Sequence, residues 1–158
     1  MIMDIEEYRK QFIDELRFNA EHEGTEPETQ FIEKSISDLE EIGELNDPIP
    51  MSIEMRGSRN RLLAFDAYAY DEADGALILI ASDFTNERDS TPTLTNSRIE
   101  DIYTHMLNFL DECVQGNICK YCDDSDPALI IANEFRKKIG KGMLSTEILR
   151  FTFINIKL

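Results

Sequence analysis

The feature that most constrains this chain is a pair of apolar runs joined by a tight acidic turn, "LLAFDAYAYDEADGALILIASDFT", residues 62–85. Asp74-Gly75 is a hairpin signal, because glycine accepts the positive φ that short turns between strands demand. The flanking runs, Leu62–Tyr70 and Ala76–Phe84, therefore read as adjacent antiparallel strands. "ALILIA" is apolar at successive positions rather than alternate ones. That pattern predicts burial on both faces and helices covering the sheet. Into these runs the sequence sets two acids, Asp66 and Asp83. A buried carboxylate is costly unless it is paired, hydrogen-bonded or bound to a metal. Both are therefore candidate functional residues.

The elements around the hairpin can be read from periodicity and from their end signals. Asp4 and Glu7 open a helix running to about Ala20, with Ile5, Tyr8, Phe12 and Leu16 as its expected apolar stripe. Thr25, Pro27 and Glu28 start a second helix that reaches about Glu41 and buries Ile32, Ile36, Leu39 and Ile42. Glu33, Ser37, Glu40 and Glu44 form the neighbouring stripe, and Gly43 with Pro48 and Pro50 ends the element. Met51–Arg56 is a short strand. After the hairpin, Ser97 and Glu100 predict the start of a third helix, about Arg98 to Val114. Asp126-Pro127 opens a fourth, Ala128–Ile139, closed by Gly140, and "EILRFTFINI", Glu147–Ile156, alternates as a final strand.

Composition narrows the function classes. The 158 residues are 42% hydrophobic with 5 Pro and 7 Gly, which predicts one folded α/β domain with a core of its own. No apolar run is long enough to span a bilayer, and the N-terminus lacks the basic and apolar regions of a secretory signal. Three cysteines predict reduced thiols and a cytoplasmic home. The net charge is -16, and the first 50 residues alone hold 15 acidic against 4 basic side chains. Such a field repels nucleic acid over most of the surface. A nucleic-acid contact has to be local, and "RGSRNR", with Arg56, Arg59 and Arg61, is the candidate.

Apart from the first helix, the predicted order is helix, three strands, helix and strand, with one more helix before the last strand. This resembles the αβββαβ core of restriction-endonuclease-like nucleases, a mixed sheet flanked by helices; here an extra N-terminal helix precedes it. The resemblance implies that Asp66 on the second strand and Asp83 at the end of the third hold Mg²⁺, with Glu33 or Glu40 of the preceding helix assisting. Such an ion polarises a scissile phosphate and generates hydroxide. "DLEEIGEL", "RGSRNRLLAFDAYAY" and "LILIASDF" are also similar in layout to Mrr-like nuclease domains. The departure is at Thr85, which stands where those enzymes carry lysine and cannot supply a cation. Arg98, at the start of the next helix, is the candidate substitute.

A closer likeness lies in "EEYRKQFIDELRFNAEHEG", "FIEKSISDLEEIGEL" and "RLLAFDAYAYDEADGALILIASDF". Over about residues 5–115 the chain resembles the N-terminal domain of the abortive infection phage resistance (AIPR) family. That resemblance implies a bacterial role in anti-phage defence. It also implies an N-terminal fragment of a longer protein, whose remainder is a partner, with a homodimer as a further expectation. Two functions follow as expectations: a degenerate nuclease-like module, or an active metal-dependent DNA or RNA phosphodiesterase using Asp66 and Asp83.

Other constellations are weaker. Cys113, Cys119 and Cys122, with His105, contain a single CxxC, and Cys113 falls on an apolar helix face, so no zinc is expected. Asp71, Glu72 and Asp74 lack the regular oxygen spacing of a calcium loop and read as a solvated turn. No serine–histidine–aspartate order, phosphate loop or dinucleotide fingerprint is present.

Overall fold

The computed structural model describes residues 4–84, 89, 94–140 and 149–155, the last of these as backbone. Thr85 lies outside the described residues. The helices are α1 (Ile5–Glu23), α2 (Pro27–Glu41), α3 (Asn96–Gln115) and α4 (Pro127–Gly140). The strands are β1 (Ile49–Arg56), β2 (Leu62–Asp71), β3 (Ala76–Asp83) and β4 (Leu149–Asn155).

β1, β2 and β3 form an antiparallel sheet in sequence order. The backbone of β4 runs alongside β3, with Leu149 opposite Leu77 and Asn155 opposite Asp83. Buried positions run almost unbroken along β3, because helices cover both faces. On one face Leu63, Phe65, Leu77 and Leu79 pack against Met106 and Phe109 of α3 and Phe135 of α4. On the other, Ala67, Ala69, Ile78 and Ile80 pack against Ile36 of α2 and Leu45. Tyr70 fastens α4 to the sheet: its hydroxyl donates to Glu134 at 2.7 Å, and the Lys138 ammonium sits 3.6 Å from its ring centre.

Two irregularities position the site. In β1, Pro50 pairs with Ala67 but Ile53 pairs with Phe65, so Met51 and Ser52 together face Asp66. This is a β-bulge, which bends a strand and re-aims the side chains beside it. β2 changes phase at the same place: Phe65 and Tyr68, three residues apart, both enter the α3/α4 core. Strict alternation would put them on opposite faces. Asp66 sits at the phase change.

The helix starts differ from expectation in detail. Asp4 caps α1 through its carboxylate, accepting from the Glu7 N–H at 2.8 Å. α3 is capped by Thr95 rather than Ser97, with the Thr95 hydroxyl accepting from the Arg98 N–H at 3.2 Å. The buried face of α1 is Arg9, Ile13, Leu16 and Ala20, while Ile5 and Tyr8 are exposed. The expected stripe is thus rotated by about one residue. α1 packs on α2 at the edge of the molecule, where Ile13 and Leu16 meet Phe31.

Candidate functional site

The bulge, the end of β3 and the first turns of α2 and α3 enclose a cavity of about 370 Å³. Its lining includes Glu28 and Thr29 from α2, Ser52 and Glu54 from β1, Asp66 and Ser82 from the hairpin, and Arg98 and His105 from α3. Asp66 is therefore brought to a cavity, as the sequence suggests. One of its oxygens, Oδ2, accepts twice from Ser82: from the backbone N–H at 2.7 Å and from the hydroxyl at 2.9 Å.

Asp83 is 4% exposed and meets Arg98, whose Nε lies 3.4 Å from its Oδ1. A cationic partner of Asp83 thus comes from the next helix. Thr95 positions it by capping α3 three residues earlier, which places Arg98 in the first helical turn.

The electrostatics show an excess of negative charge. Burial raises the Asp66 carboxyl above its ordinary range; the two Ser82 bonds pull it back in part, and Glu54 pushes it up further. The Glu28 carboxyl is also raised, first by burial, then by Asp66, Glu54 and Asp83. Burial holds the His105 imidazole below its usual value. Glu28 and Glu54 thus join the group although periodicity pointed elsewhere on α2. The available signal was position: Glu28 stands directly after Pro27, in the first turn of a helix that enters beside the sheet.

The expected helical acids divide. Glu33 lines a shallower groove shared with Thr29, Met51 and Asp66. Glu40 turns to the loop after α2, where its Oε2 accepts from the Asp47 N–H at 3.0 Å.

A divalent ion at such a site needs several oxygens converging at about 2.1 Å with near-octahedral geometry. Among the described residues, no three His, Cys, Asp or Glu side chains are placed to share a metal ion. Ser82 holds an oxygen of Asp66 with two donors, and Arg98 stands against Asp83. The residues present do not fit the Mg²⁺ that the nuclease resemblance implies. Among the cysteines, Cys113 is buried, Cys122 half-buried and Cys119 exposed, and all three are free thiols.

"RGSRNR" folds as a compact corner between β1 and β2. A single 3-10 turn, Ser58–Asn60, carries Arg59 and Asn60 at φ of 55° and 57°. Arg61 points to α3, with its Nη2 2.6 Å from Oε1 of Glu112 and 3.2 Å from Oδ2 of Asp111. The Ser58 hydroxyl donates to the same Glu112 oxygen. Glu112 is 0% exposed. Burial alone would raise its carboxyl, but the bonds from Ser58 and Arg61 hold it below the ordinary range. Arg61 therefore serves as an internal clamp. Arg56 donates to the Asn60 carbonyl at 3.1 Å, and Arg59 is exposed at the tip.

No helix among the described residues is long and apolar enough to cross a membrane. A family model described as the abortive infection phage resistance protein N-terminal domain matches residues 31–154. No curated protein and no solved structure matches the chain. The matched span starts within α2, after Glu28 and Thr29, and takes in the strands up to residue 154, α3, α4 and the rest of the cavity lining from Ile32 to His105. The chain belongs to the abortive infection phage resistance protein N-terminal domain family, and with it to the proteins of phage defence.

Proposed function

We propose that this domain is a degenerate, restriction-endonuclease-like module with a mixed αβββαβ sheet, acting without catalytic turnover in a cytoplasmic anti-phage protein. In this reading it serves as a scaffold or interaction domain for the remainder of a longer chain, and a homodimer is one arrangement it accommodates. The observation that carries the proposal is the state of the two strand carboxylates. Asp66 is held by both donors of Ser82, and Asp83 by Arg98. The groups that would ligate an ion are engaged with protein.

The test is nuclease activity of the full-length protein on single- and double-stranded DNA and RNA, with Mg²⁺ and with Mn²⁺. No metal-dependent cleavage is expected. Cleavage that requires the metal and disappears in Asp83→Ala overturns the proposal.

One observation favours the second reading, an active metal-dependent DNA or RNA phosphodiesterase. Asp66, Glu54 and Asp83 all act electrostatically on Glu28, and Glu28, Glu54 and Asp66 line a single cavity. That is the charge environment from which a metal site is built. The same assay separates the two readings. A local contact of nucleic acid with Arg56 and Arg59 belongs to this second reading, since Arg61 is taken by Glu112.

A further inference from the structure

We propose that Cys119 and Cys122 form a reversible dithiol–disulfide pair, a redox modification site on the turn that joins α3 to α4. The proposal goes beyond the reading above and does not depend on it. α3 is closed by Gly116, and α4 begins at Pro127. Between them a single 3-10 turn, Ile118–Lys120, carries Cys119, and Tyr121 continues the coil at φ -119° and ψ -3°. The Lys120 N–H donates to the Asn117 carbonyl at 2.9 Å and the Tyr121 N–H to the Ile118 carbonyl at 3.0 Å. Cys119 and Cys122 are therefore the two ends of one tight turn. Residues so placed have Cα atoms less than about 7 Å apart, and in a 3-10 coil their side chains eclipse. A disulfide spans about 4.4–6.8 Å between Cα atoms. Ile118, 1% exposed, fixes this turn in the core, so the pair is held at bridging reach while both helices stay in place.

The two thiols differ in the way an attacking and a resolving cysteine differ. Cys119 is exposed, whereas Cys122 is half-buried and packs against the core. The Cys122 thiol is raised first by burial, then by Asp126, Asp123 and Cys119. The thiolate is the nucleophile, and access sets which sulfur an outside disulfide meets first. Cys119 is thus the entry residue. Its thiolate attacks one sulfur of a low-molecular-weight disulfide such as oxidised glutathione and expels one glutathione thiolate. Cys122 then loses its proton and attacks the Cys119 sulfur, expelling the second. Two cysteine thiols are oxidised, one external disulfide is reduced to two thiols, and the two protons pass to them. Cys113 stays out of the exchange, because it is 1% exposed and its thiol is raised by burial and then by Glu112.

The test treats the folded chain at neutral pH with oxidised glutathione, quenches with acid, alkylates the remaining thiols and locates each sulfur by peptide mass mapping. Circular dichroism establishes that the variants Cys119→Ser and Cys122→Ser are folded. The parent is expected to end as a Cys119–Cys122 disulfide with no glutathione retained, and to return to two thiols in excess reduced glutathione. Cys122→Ser is expected to keep glutathione on Cys119. Cys119→Ser is expected to react about tenfold more slowly or less, since only the shielded thiol of the pair is left. A parent that retains glutathione on Cys119, a bridge that includes Cys113, or no reaction at Cys119 overturns the proposal. Cys119→Ser reacting as fast as the parent overturns the assigned order of attack.

Discussion

Two places in this molecule bring together an acid, a serine and an arginine, and they differ in how well the charge is met. At the corner clamp, buried Glu112 receives Ser58 and Arg61 on one oxygen, and its carboxyl is held below the ordinary range. At the cavity, Ser82 serves Asp66 and Arg98 serves Asp83, while Glu28 and Glu54 add further negative charge. There the carboxyls of Asp66 and Glu28 are raised. A closed acid–cation set holds a fold together. An acid set left in excess stores unfavourable charge, which is the state of a site or of a former one. In the proposed reading, this difference is why the cavity, not the arginine-rich corner, is the candidate functional region.

The largest test of this contrast is Arg61→Ala. It strands Glu112 in the core, and removing one partner of a buried pair is strongly destabilising. A fall in thermal midpoint of about 10 °C is expected for a chain of this length. A change of only a degree or two would show that the clamp is no clamp. Ser58→Ala removes one donor from the same oxygen and is expected to cost about 1–2 kcal/mol in urea unfolding.

Acid gives the two regions opposite signs. Glu112 has a depressed folded value, so its contribution is present above the ordinary carboxylate range and is lost as pH falls through that depressed value. Asp66 and Glu28 have raised folded values, so stability falls as pH rises from the ordinary range, about 4–4.5, through the raised ones. Asp66→Asn keeps an acceptor for both Ser82 donors and removes the charge. It is expected to raise the midpoint at neutral pH by about 2–4 °C and to flatten the pH dependence above the ordinary carboxylate range. A lowered midpoint would mean that the Asp66 charge is compensated after all. Arg98→Gln should move the midpoint least, by about 2 °C or less, because a half-exposed ion pair contributes little.

Much of the fold was legible because its signals are local. The Asp74-Gly75 turn, Pro27 at a helix start and the unbroken apolarity of "ALILIA" each act through neighbouring residues. The face of α1 was not legible. Tyr8 and Arg9 are adjacent, and the structure buries the arginine while leaving the tyrosine exposed. The stem of an arginine can lie along apolar surface as tyrosine's ring does, so hydropathy ranks the two stripes in the wrong order. The site was half legible. Asp66 and Asp83 stood out against apolar strands, and Arg98 stood at the start of the next helix. Glu28 and Glu54 join only through the β1 bulge and the entry of α2, which are properties of packing between elements distant in sequence.

The bulge has a second effect, on the outside of the molecule. β1 is an edge strand of the sheet. An edge with unpaired amides is a template on which another chain can add a strand and begin to aggregate. Here the edge carries Pro50, which has no amide hydrogen to offer, then the bulge, then exposed Glu54 and Arg56. An incoming strand would meet a missing donor, a broken register and two charges within a few residues. The irregularity that turns Asp66 toward the cavity thus also protects the protein from sheet-to-sheet polymerisation, so straightening β1 to perfect the hairpin's neighbour would trade a site for a fibre seed.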